Sequence, residues 1–422
     1  MIYKVQPPTN LYINTSVKLP ASKSISNRIL ILSALSKKKN EYFIDNLSNS
    51  DDTQILARAL QSSHNDFDVG SAGTAMRFLT AYLAQRDGNW NITGNERMKN
   101  RPIRELTNVL YHLGAEINFL GEKGFPPLSI VGKKLKGGLV SVDSEISSQY
   151  VSALMMIAPV LEQGLILKLR GDVISKPYIK MTAHLMNIFD VKVEWMENLI
   201  KIVPQSYHAH PFKIENDWSA ASYWYEIMAF SLKKSSIKLL GLEENSIQGD
   251  ARGRFLFEKL GVKTEFVFST CSCFDKNLTI SNDLKKKLNV EYLYYDFINE
   301  PDLVQTFVVS CCLLGIHFYF KGVKSLRIKE TDRVFALQKE MRKLGYVIEN
   351  YSDNVIEWNG ERCSKENNPI ISTYGDHRMA MAFAPACLKL KEIIIDTPEV
   401  VSKSYPNYWK DLLQAGFIIK EI

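Results

Sequence analysis

The sequence predicts an α/β protein built from two similar domains. Its 422 residues are too many for one ordinary hydrophobic core and suit two domains of roughly 200 residues each. Hydrophobic residues make up 45% of the chain and charged residues 23%, which is the balance of a globular protein. The third observation is a repeated pattern, in which an amphipathic helix ends at a turn and a β-rich run follows.

Five copies of this pattern occur at similar intervals. Their turn residues are Gly114, Asp190, Gly261, Gly345 and Gly416, which are 76, 71, 84 and 71 residues apart. Glycine suits the left-handed conformation that ends many helices, so each copy is expected to be a helix packed on a sheet. A more divergent copy near the N-terminus would make six, or three in each domain. The alternative is that any α/β protein contains such turns.

The first helix is expected to begin within residues 19–28. Ser22 or Ser24 can cap it, and apolar residues continue it at three- and four-residue spacing. The free amides of its first turn, the helix dipole and the charges of Lys23 and Arg28 predict an anion site. The alternative is an ordinary capped helix with solvated basic residues.

Further stretches of the first half place small, basic or hydroxyl residues just before helices. Gly73 precedes an apolar helical run, residues 78–83, and would let the backbone approach a ligand. Its surroundings fit neither a Walker loop nor a dinucleotide fingerprint. Arg101 lies in a basic cluster. Hydroxyl, amide and phenol groups precede two more helices at Ser147, Ser148, Gln149, Ser175 and Tyr178. Capping or a solvated loop explains each of them singly, and anion binding is the interpretation that explains them together.

A domain boundary is expected near residues 204–215, where turn-forming residues interrupt the pattern. Beyond it, Asp302 comes just before an apolar helix, where its ordinary role would be an N-cap. Glu330 and Arg333 are three residues apart, hence on one helical face, with Lys329 beside them. Surface ion pairing is the alternative interpretation of this group.

His377 and Arg378 begin another apolar helix, and Lys403 lies in a late loop, residues 400–406. The whole chain therefore offers cations in both halves and carboxylates in the second. The cations are Lys23, Arg28, Arg101, Arg333, Arg378 and Lys403. This arrangement predicts two anionic substrates in an interdomain cleft, with a carboxylate or a lysine moving protons.

Composition argues against several other classes of protein. Lys and Arg number 52 against 46 Asp and Glu, a mild excess that suits small anions but lacks the long basic runs of a nucleic-acid binder. The short lysine run at residues 285–287 is expected to be a solvated loop. The six cysteines show neither zinc spacing nor disulfide density, so we expect reduced thiols, no metal and a cytoplasmic protein. The N-terminus lacks the pattern of a signal peptide, and no apolar run is long enough to span a membrane.

These residues resemble the enolpyruvyl transferases, most closely the members that act on shikimate 3-phosphate. The resemblance runs from residue 19 to the C-terminus. Its motifs are Ser22-Lys-Ser-Ile-Ser-Asn-Arg28, Ala72-Gly-Thr-Ala-Met-Arg77, Arg97-Met-Lys-Asn-Arg-Pro102, Ser147-Ser-Gln149, Ser175-Lys-Pro-Tyr178, Lys329-Glu-Thr-Asp-Arg333, Asp376-His-Arg-Met-Ala380 and Lys403-Ser-Tyr-Pro406.

The resemblance implies an inside-out α/β barrel fold: two similar domains, each of three βαβαββ repeats, with the active site in the cleft between them. Residues 20–215 would form the first domain and mainly bind shikimate 3-phosphate. Residues 1–19 and 216–422 would form the second and carry the carboxylates and part of the phosphoenolpyruvate site.

The implied reaction condenses shikimate 3-phosphate with phosphoenolpyruvate through a tetrahedral adduct and releases phosphate, with no cofactor. The catalytic residues would be Lys23, Asp302 as the base on the 5-hydroxyl, Glu330 as the acid toward the methylene carbon, and His377, which tunes Glu330. Shikimate 3-phosphate would be bound by Lys23, Ser24, Arg28, Ser147, Ser148, Gln149, Ser175, Tyr178, Asp302, Ser325 and Lys329. Phosphoenolpyruvate would be bound by Lys23, Gly73, Arg101, Gln149, Arg333, Arg378 and Lys403.

Three positions depart from the family pattern. Ala21 stands where glycine is usual, and Ser71 and Ser325 stand where asparagine is common. The retained Gly73 implies sensitivity to glyphosate, which resembles a competitor of phosphoenolpyruvate. The chain is expected to be a monomer with no nucleic-acid or membrane partner.

Two other functions stay open at this point. A sister enzyme acts on UDP-N-acetylglucosamine, but it usually carries a cysteine in a loop of the first domain, whereas all six cysteines here follow residue 270. A phosphate-binding regulatory or RNA-interacting protein on a related fold would need no pair like Asp302 and Glu330.

Overall fold

The structure, a computed structural model, describes residues 1–36, 44–145, 147–232, 234–268, 276–282 and 290–422. The chain forms two compact units. Residues Ala21–Ile214 form one, which we call the inserted unit, and Met1–Pro20 with Glu215–Ile422 form the other, the terminal unit. Cys271, Cys273 and the lysine run at residues 285–287 lie outside the described residues.

The strands are β1 Ile2–Gln6, β2 Asn14–Lys18, β3 Ile44–Asp45, β4 Asp66–Asp68, β5 Gly88–Thr93, β6 Glu116–Phe119, β7 Leu128–Gly132, β8 Gly138–Asp143, β9 Leu165–Arg170, β10 Glu194–Met196, β11 Leu199–Ile202, β12 Phe212–Lys213, β13 Ser236–Leu240, β14 Val262–Phe268, β15 Lys276–Asn282, β16 Tyr292–Asp296, β17 His317–Lys321, β18 Glu349–Ser352, β19 Val355–Trp358, β20 Ile370–Ile371, β21 Ile393–Asp396 and β22 Ile418–Glu421.

The α-helices are α1 Lys23–Leu35, α2 Asp51–Gln61, α3 Gly73–Ala84, α4 Glu96–Lys99, α5 Arg104–His112, α6 Ser148–Ile157, α7 Lys176–Ile188, α8 Trp218–Phe230, α9 Gly253–Lys259, α10 Val304–Leu314, α11 Arg333–Lys343, α12 His377–Phe383, α13 Cys387–Leu390 and α14 Tyr408–Gln414. Short 3-10 helices cover Ala158–Val160, Gly249–Arg252, Pro301–Leu303, Lys324–Ile328, Ala384–Ala386 and Pro398–Lys403.

The sheets of the described residues share one plan. Five have four strands, in the orders β2-β13-β15-β14, β4-β5-β7-β6, β8-β9-β11-β10, β16-β17-β19-β18 and β20-β21-β1-β22. In each of them the first two strands are parallel, and the other two join antiparallel. The sixth sheet is the parallel pair of β3 and β12. Three sheets therefore belong to each unit.

Helices alternate with these strands as βαβαββ, as in β8-α6-β9-α7-β10-β11. In five repeats the second helix ends in the same way, because the residue after its C-cap has a positive φ. The φ values are 99° at Gly114, 62° at Asp190, 85° at Gly261, 89° at Gly345 and 91° at Gly416. Such a residue turns the chain back from the helix end toward the sheet. The predicted α/β class and the left-handed turns are confirmed.

The bounds of some elements differ from the sequence-based expectation. The strands expected directly after Asp190 and Gly345 begin later, at Glu194 and Glu349. The helix expected from residue 78 begins five residues earlier, at Gly73. Apolar periodicity marks where an element is buried, and the ends of an element depend on caps that it does not record.

The N-terminal strand completes a sheet made otherwise from the end of the chain. β1 pairs with β21 and β22, both antiparallel, and so takes the position that the last strand of a repeat holds in the other sheets. β2 then pairs parallel with β13 in the terminal unit, and the chain enters the inserted unit at Ala21. It returns after β12, which pairs with β3.

One helix of each repeat, the one that precedes the second strand, is largely buried. These helices are α1, α3 and α6 in the inserted unit, which contact one another, and α8, α10 and α12 in the terminal unit, which do the same. Residues 304–312 of α10, for example, are all buried. A helix that is apolar all round requires such a position. We call these six the inner helices.

Among the described residues no helix is both long enough and apolar enough to cross a membrane. Within the same ranges no group of three or more His, Cys, Asp or Glu side chains could hold a metal ion. The described cysteines Cys311, Cys312, Cys363 and Cys387 form no disulfide.

Candidate active site

The first predicted anion-binding motif lies at the beginning of inner helix α1. Ser22 is its N-cap, because its side chain accepts a hydrogen bond from the amide of Ile25 at 3.4 Å. The sequence left Ser22 and Ser24 as alternative caps, and the structure selects Ser22. The ammonium of Lys23, the first helical residue, lies 2.9 Å from Oδ2 of Asp52 at the start of α2. A carboxylate that sequence reasoning did not assign therefore orients Lys23.

The guanidinium of Arg28, one turn further along α1, is buried and held by the protein itself. It lies 5.4 Å from the centre of the Phe78 ring. Burial lowers the pKa of Arg28 to about 10. Its hydrogen bonds run to Thr182 Oγ1 at 2.7 Å, Ser24 O at 2.8 Å, Ser152 Oγ at 3.1 Å and Tyr178 O at 3.3 Å. Arg28 thus joins α1 to α6 and α7, and it positions Ser24 and Tyr178, two of the residues predicted to bind substrate.

The starts of inner helices α3 and α6 are joined by a hydrogen bond, which Gln149 Nε2 donates to Thr74 Oγ1 at 3.3 Å. Gly73 begins α3, and Arg101 packs directly against it. A β-carbon on Gly73 would lie only 2.7 Å from one terminal nitrogen of Arg101. The Arg101 guanidinium can therefore occupy this position only because Gly73 has no side chain.

The predicted serines lie at the starts of α6 and α7. Ser147 caps α6 by accepting a hydrogen bond from the amide of Gln149 at 3.2 Å, and Ser148 is the first, buried residue of that helix. Ser175 precedes α7 and has a left-handed backbone, with φ of 53°. A non-glycine residue rarely adopts this conformation, and such strain is concentrated at functional sites.

In the terminal unit Arg333 is the centre of a network of carboxylates. Its nitrogens lie 2.7 Å from Asp376, 2.9 Å from Asp302 and 3.0 Å from Glu330. Burial acts to lower the pKa of Arg333, but these three negative charges outweigh it and raise the pKa above its ordinary value. The network thus keeps the guanidinium charged in a buried position.

The predicted reason for the pairing of Glu330 with Arg333 is wrong, although the pair forms. The two were expected on one helical face, yet α11 begins only at Arg333, with Asp332 as its N-cap. The side chain of Asp332 accepts a hydrogen bond from the amide of Phe335 at 3.0 Å, and this cap sets the residue at which the helix starts. Glu330 therefore reaches Arg333 from the segment before the helix.

Asp302 does not cap α10, which was the ordinary role the sequence offered for it. It lies in the 3-10 helix Pro301–Leu303, and Leu303 is the N-cap. Its Oδ1 accepts from Arg333 at 2.9 Å and its Oδ2 from Arg378 at 2.7 Å. Burial acts to raise the pKa of Asp302, but the charges of Arg378 and Arg333 outweigh it and hold the pKa far below its ordinary value.

Three of the remaining predicted residues of this unit, Lys403, His377 and Lys329, act on members of the same network. Lys403, the last residue of the 3-10 helix Pro398–Lys403, lies 3.7 Å from Oε1 of Glu330. Nδ1 of His377 lies 3.6 Å from Asp376. Ser325 is buried in the 3-10 helix Lys324–Ile328, and the charge of Lys329, directly after it, acts to lower the pKa of Asp302.

Sequence reasoning missed Asp376, which accepts a hydrogen bond from Arg333. Asp376 also caps α12 by accepting a hydrogen bond from the amide of Arg378 at 2.9 Å. It stands directly before two residues that were selected, and an aspartate at an N-cap was the available signal. Asp52, Thr182 and Ser152 were missed because their partners are distant in sequence.

The network holds three carboxylates, Asp302, Glu330 and Asp376, and three cations, Arg333, Arg378 and Lys403. Each of these three cations lies within 4 Å of at least one of the three carboxylates. An arriving carboxylate or phosphate can replace the protein carboxylates as the partner of the guanidiniums, whose planar fork suits both groups. Such an exchange would release Asp302 and Glu330 for proton transfer.

Comparison with known proteins gives one family. The model of the family described as EPSP synthase (3-phosphoshikimate 1-carboxyvinyltransferase) matches residues 7–65 and 57–412. A Bacteroides fragilis protein of the latter name is 50% identical to this chain, covering 100% of this chain and 99% of its own length. A Vibrio atlanticus protein of the same name is 34% identical over 95% of this chain and 96% of its own length. The solved structure of EPSP synthase from Acinetobacter baumannii has the same fold, with a TM-score of 0.77 over 100% of both chains at 18% identity.

Proposed function

Because this chain belongs to the EPSP synthase family, we propose that it transfers the carboxyvinyl group of phosphoenolpyruvate to the 5-hydroxyl of shikimate 3-phosphate. The products are 5-enolpyruvylshikimate 3-phosphate and inorganic phosphate. The observation that carries the assignment of roles is the shared guanidinium of Arg333, which lies 2.9 Å from Asp302 and 3.0 Å from Glu330. The proposed acid, Glu330, and the proposed base, Asp302, therefore both pair with Arg333, a guanidinium that an anionic substrate can also bind.

The proposed reaction proceeds by addition and elimination. Asp302 accepts the proton of the 5-hydroxyl while the hydroxyl oxygen attacks the second carbon of phosphoenolpyruvate. Glu330 delivers a proton to the methylene carbon. The tetrahedral adduct then loses a proton from the resulting methyl group and releases phosphate. General acid and base catalysis of this kind contributes roughly 10²–10⁴-fold in rate.

The charge of the network explains why proton transfer would wait for substrate. With Arg333 and Arg378 bound to it, Asp302 is a weak base, because its pKa is far below the ordinary value. When the carboxylate and phosphate of phosphoenolpyruvate bind these guanidiniums, Asp302 loses its partners and its pKa rises. An anion that bound Lys403 would likewise separate this cation from Glu330, which lies 3.7 Å from it.

We propose that the inserted unit supplies the remaining groups for both substrates. Lys23, Arg101 and Gln149 would bind phosphoenolpyruvate, and the serines at the starts of α6 and α7 would bind shikimate 3-phosphate. Lys23, Gln149 and these serines are supported by their positions at the N-termini of helices, where free amides and the helix dipole favour anions. Arg101 is supported by its close approach to Gly73, the first residue of α3.

The test is phosphate release by the purified chain, which should require both substrates together. Asp302→Asn is expected to lower kcat by at least about 10²-fold while phosphoenolpyruvate still binds, since the amide cannot take the proton. The matched control is Asp353→Asn, which removes an exposed aspartate that also pairs with an arginine, at 3.5 Å, and should leave kcat as it is. Near-normal turnover by Asp302→Asn would remove the role assigned to Asp302.

Replacing shikimate 3-phosphate by UDP-N-acetylglucosamine separates this function from that of the sister enzyme, and we expect no phosphate release with it. Relatives that are 50% identical over the whole chain carry the 3-phosphoshikimate name, which favours the proposed acceptor.

We further propose that glyphosate competes with phosphoenolpyruvate, because Gly73 leaves the Arg101 guanidinium in a position that a side chain there would disturb. Turnover that persists at saturating glyphosate would contradict this. The monomeric state and the cytoplasmic location stay predictions, which size-exclusion chromatography and cell fractionation would test.

A further inference from the structure

A second buried aspartate, Asp250, is influenced by the charge of the proposed base, Asp302. It belongs to the 3-10 helix Gly249–Arg252 and is buried. One of its oxygens accepts a hydrogen bond from the hydroxyl of Ser219. The other, Oδ1, has no hydrogen-bond partner among the described residues and is shielded from solvent. An ionised carboxylate with one buried oxygen unsatisfied is costly, and a protonated carboxyl in the same place is far less so.

Inner helix α8 connects Asp250 to the network. Ser219 and Tyr223 are four residues apart on α8 and therefore share one face. Ser219 donates to Asp250, whereas the hydroxyl of Tyr223 accepts from Arg378 at 3.3 Å. The other terminal nitrogen of Arg378 binds Asp302 at 2.7 Å.

The charged groups that act on Asp250 come from several elements. Burial is the largest effect and raises the pKa of Asp250, and the charges of Asp302 and Asp217 raise it further. The charge of Arg378 and the hydrogen bond from Ser219 lower it. Together these effects bring the pKa of Asp250 to about 7. On its own segment Arg252 pairs with Glu300 at 3.6 Å.

On the neighbouring helix α9, Arg254 lies over the Trp218 ring and donates to the carbonyl of Glu244. Asp302 therefore has two guanidiniums within hydrogen-bonding distance, whereas Asp250 has none among the described residues. Like charges in such a pair push the two titrations apart.

We propose that Asp250 is a positioning residue that must carry a proton for phosphoenolpyruvate to bind. In its protonated form it leaves the positive charge of Arg378 to the incoming anion. Once ionised, it adds a negative charge beside Arg378, which both attracts that guanidinium and repels the substrate. Binding of the anion is therefore linked to uptake of a proton by Asp250.

This inference rests on the proposed function, since it concerns the phosphoenolpyruvate site of that reaction. The experiment is steady-state phosphate release between about pH 6 and about pH 8.5 with shikimate 3-phosphate saturating, for the wild type, Asp250→Asn and Ser219→Ala. Phosphoenolpyruvate has ionisations of its own, so the readout is the ratio of KM in the wild type to KM in each variant at every pH.

The KM ratio of wild type to Asp250→Asn should be smallest at low pH and rise by up to about tenfold per pH unit above pH 7, because the amide cannot ionise. Ser219→Ala removes a hydrogen bond that favours the ionised form, so its KM rise should move to higher pH. The two variants therefore change the profile in different ways, and a mere loss of packing would not do so.

The matched control is Glu226→Gln, which neutralises another buried carboxyl on α8, two turns from Ser219. Its KM profile should parallel that of the wild type. Calorimetry of phosphoenolpyruvate binding in buffers of different ionisation enthalpy should show less proton uptake for Asp250→Asn than for the wild type.

Parallel KM profiles for the wild type and both variants, with an active wild type, would refute this inference alone. A kcat of Asp250→Asn that falls more than about 10²-fold at every pH would also refute it, because Asp250 would then act in the chemistry itself. If the wild type releases no phosphate with both substrates present, the proposed function fails, and this inference fails with it.

Discussion

Gly73→Ala offers a quantitative test of how the phosphoenolpyruvate site is built. The added β-carbon would lie 2.7 Å and 2.8 Å from the two terminal nitrogens of Arg101. An ordinary contact is about 3.5 Å, so the guanidinium must retreat by roughly 0.8 Å. Displacement of a binding group by about 1 Å can cost about 10²-fold in rate. We therefore expect kcat/KM for phosphoenolpyruvate to fall by about 10–100-fold, which corresponds to about 1.4–2.8 kcal/mol.

The assay is phosphate release at saturating shikimate 3-phosphate, with the loss appearing mainly in KM for phosphoenolpyruvate. Thermal unfolding should show no loss of stability, because alanine is a better helix residue than glycine and the atom it displaces ends a flexible side chain. The control is Gly121→Ala, whose β-carbon would meet only Pro127, at an ordinary 3.6 Å. Its kinetics should match the wild type.

A double-mutant cycle identifies Arg101 as the residue through which the alanine acts. Arg101→Lys removes both nitrogens that the new β-carbon would crowd, so adding Gly73→Ala to it should change kcat/KM by less than about threefold. An equal loss in the two backgrounds would refute the reasoning, and so would an unchanged KM in the single variant.

Three further predictions concern groups that the fold itself depends on. Ser22→Ala removes the cap that accepts the Ile25 amide and should lower the free energy of unfolding by about 1 kcal/mol in urea denaturation; an unchanged midpoint would show that the cap contributes nothing. Arg28→Lys cannot keep the four hydrogen bonds of the guanidinium and should lower the unfolding temperature and raise KM for shikimate 3-phosphate; a KM equal to that of the wild type would separate Arg28 from substrate binding. Glu226 is buried, and burial raises its pKa well above the ordinary value. The folded chain therefore keeps a proton that the unfolded chain releases above its pKa of about 4.3, and stability falls as pH rises from there toward the folded pKa, by up to about 1.4 kcal/mol per pH unit. Glu226→Gln should remove this slope from unfolding temperatures measured between about pH 5 and about pH 8, and identical slopes would contradict it.

The left-handed turns and several helix starts were predicted correctly, because they depend on neighbouring residues. The five left-handed turns follow from glycine or aspartate after an amphipathic helix, because backbone sterics decide them within a few residues. The positions of Lys23, Ser148 and His377 at helix starts follow from local capping signals in the same way.

The expectations that required knowledge of distant partners were incomplete or wrong. Asp302 was offered as a helix cap, and the structure pairs it with Arg378, 76 residues away. One local expectation failed as well: Glu330 was placed on a helical face with Arg333, but the cap at Asp332 makes that helix begin only at Arg333.

The α/β class, the recurrence of the helix and strand unit and the kinds of side chain that begin the inner helices can be predicted from the amino-acid sequence, because each depends on local periodicity and backbone conformation. The pairing of the charges depends on how the chain packs: Lys23 pairs with Asp52, and Arg333 pairs with three carboxylates from separate segments. The physical reason is that an ion pair needs two groups within a few ångströms, and the packing of helices side by side, which no local pattern records, brings them to that distance.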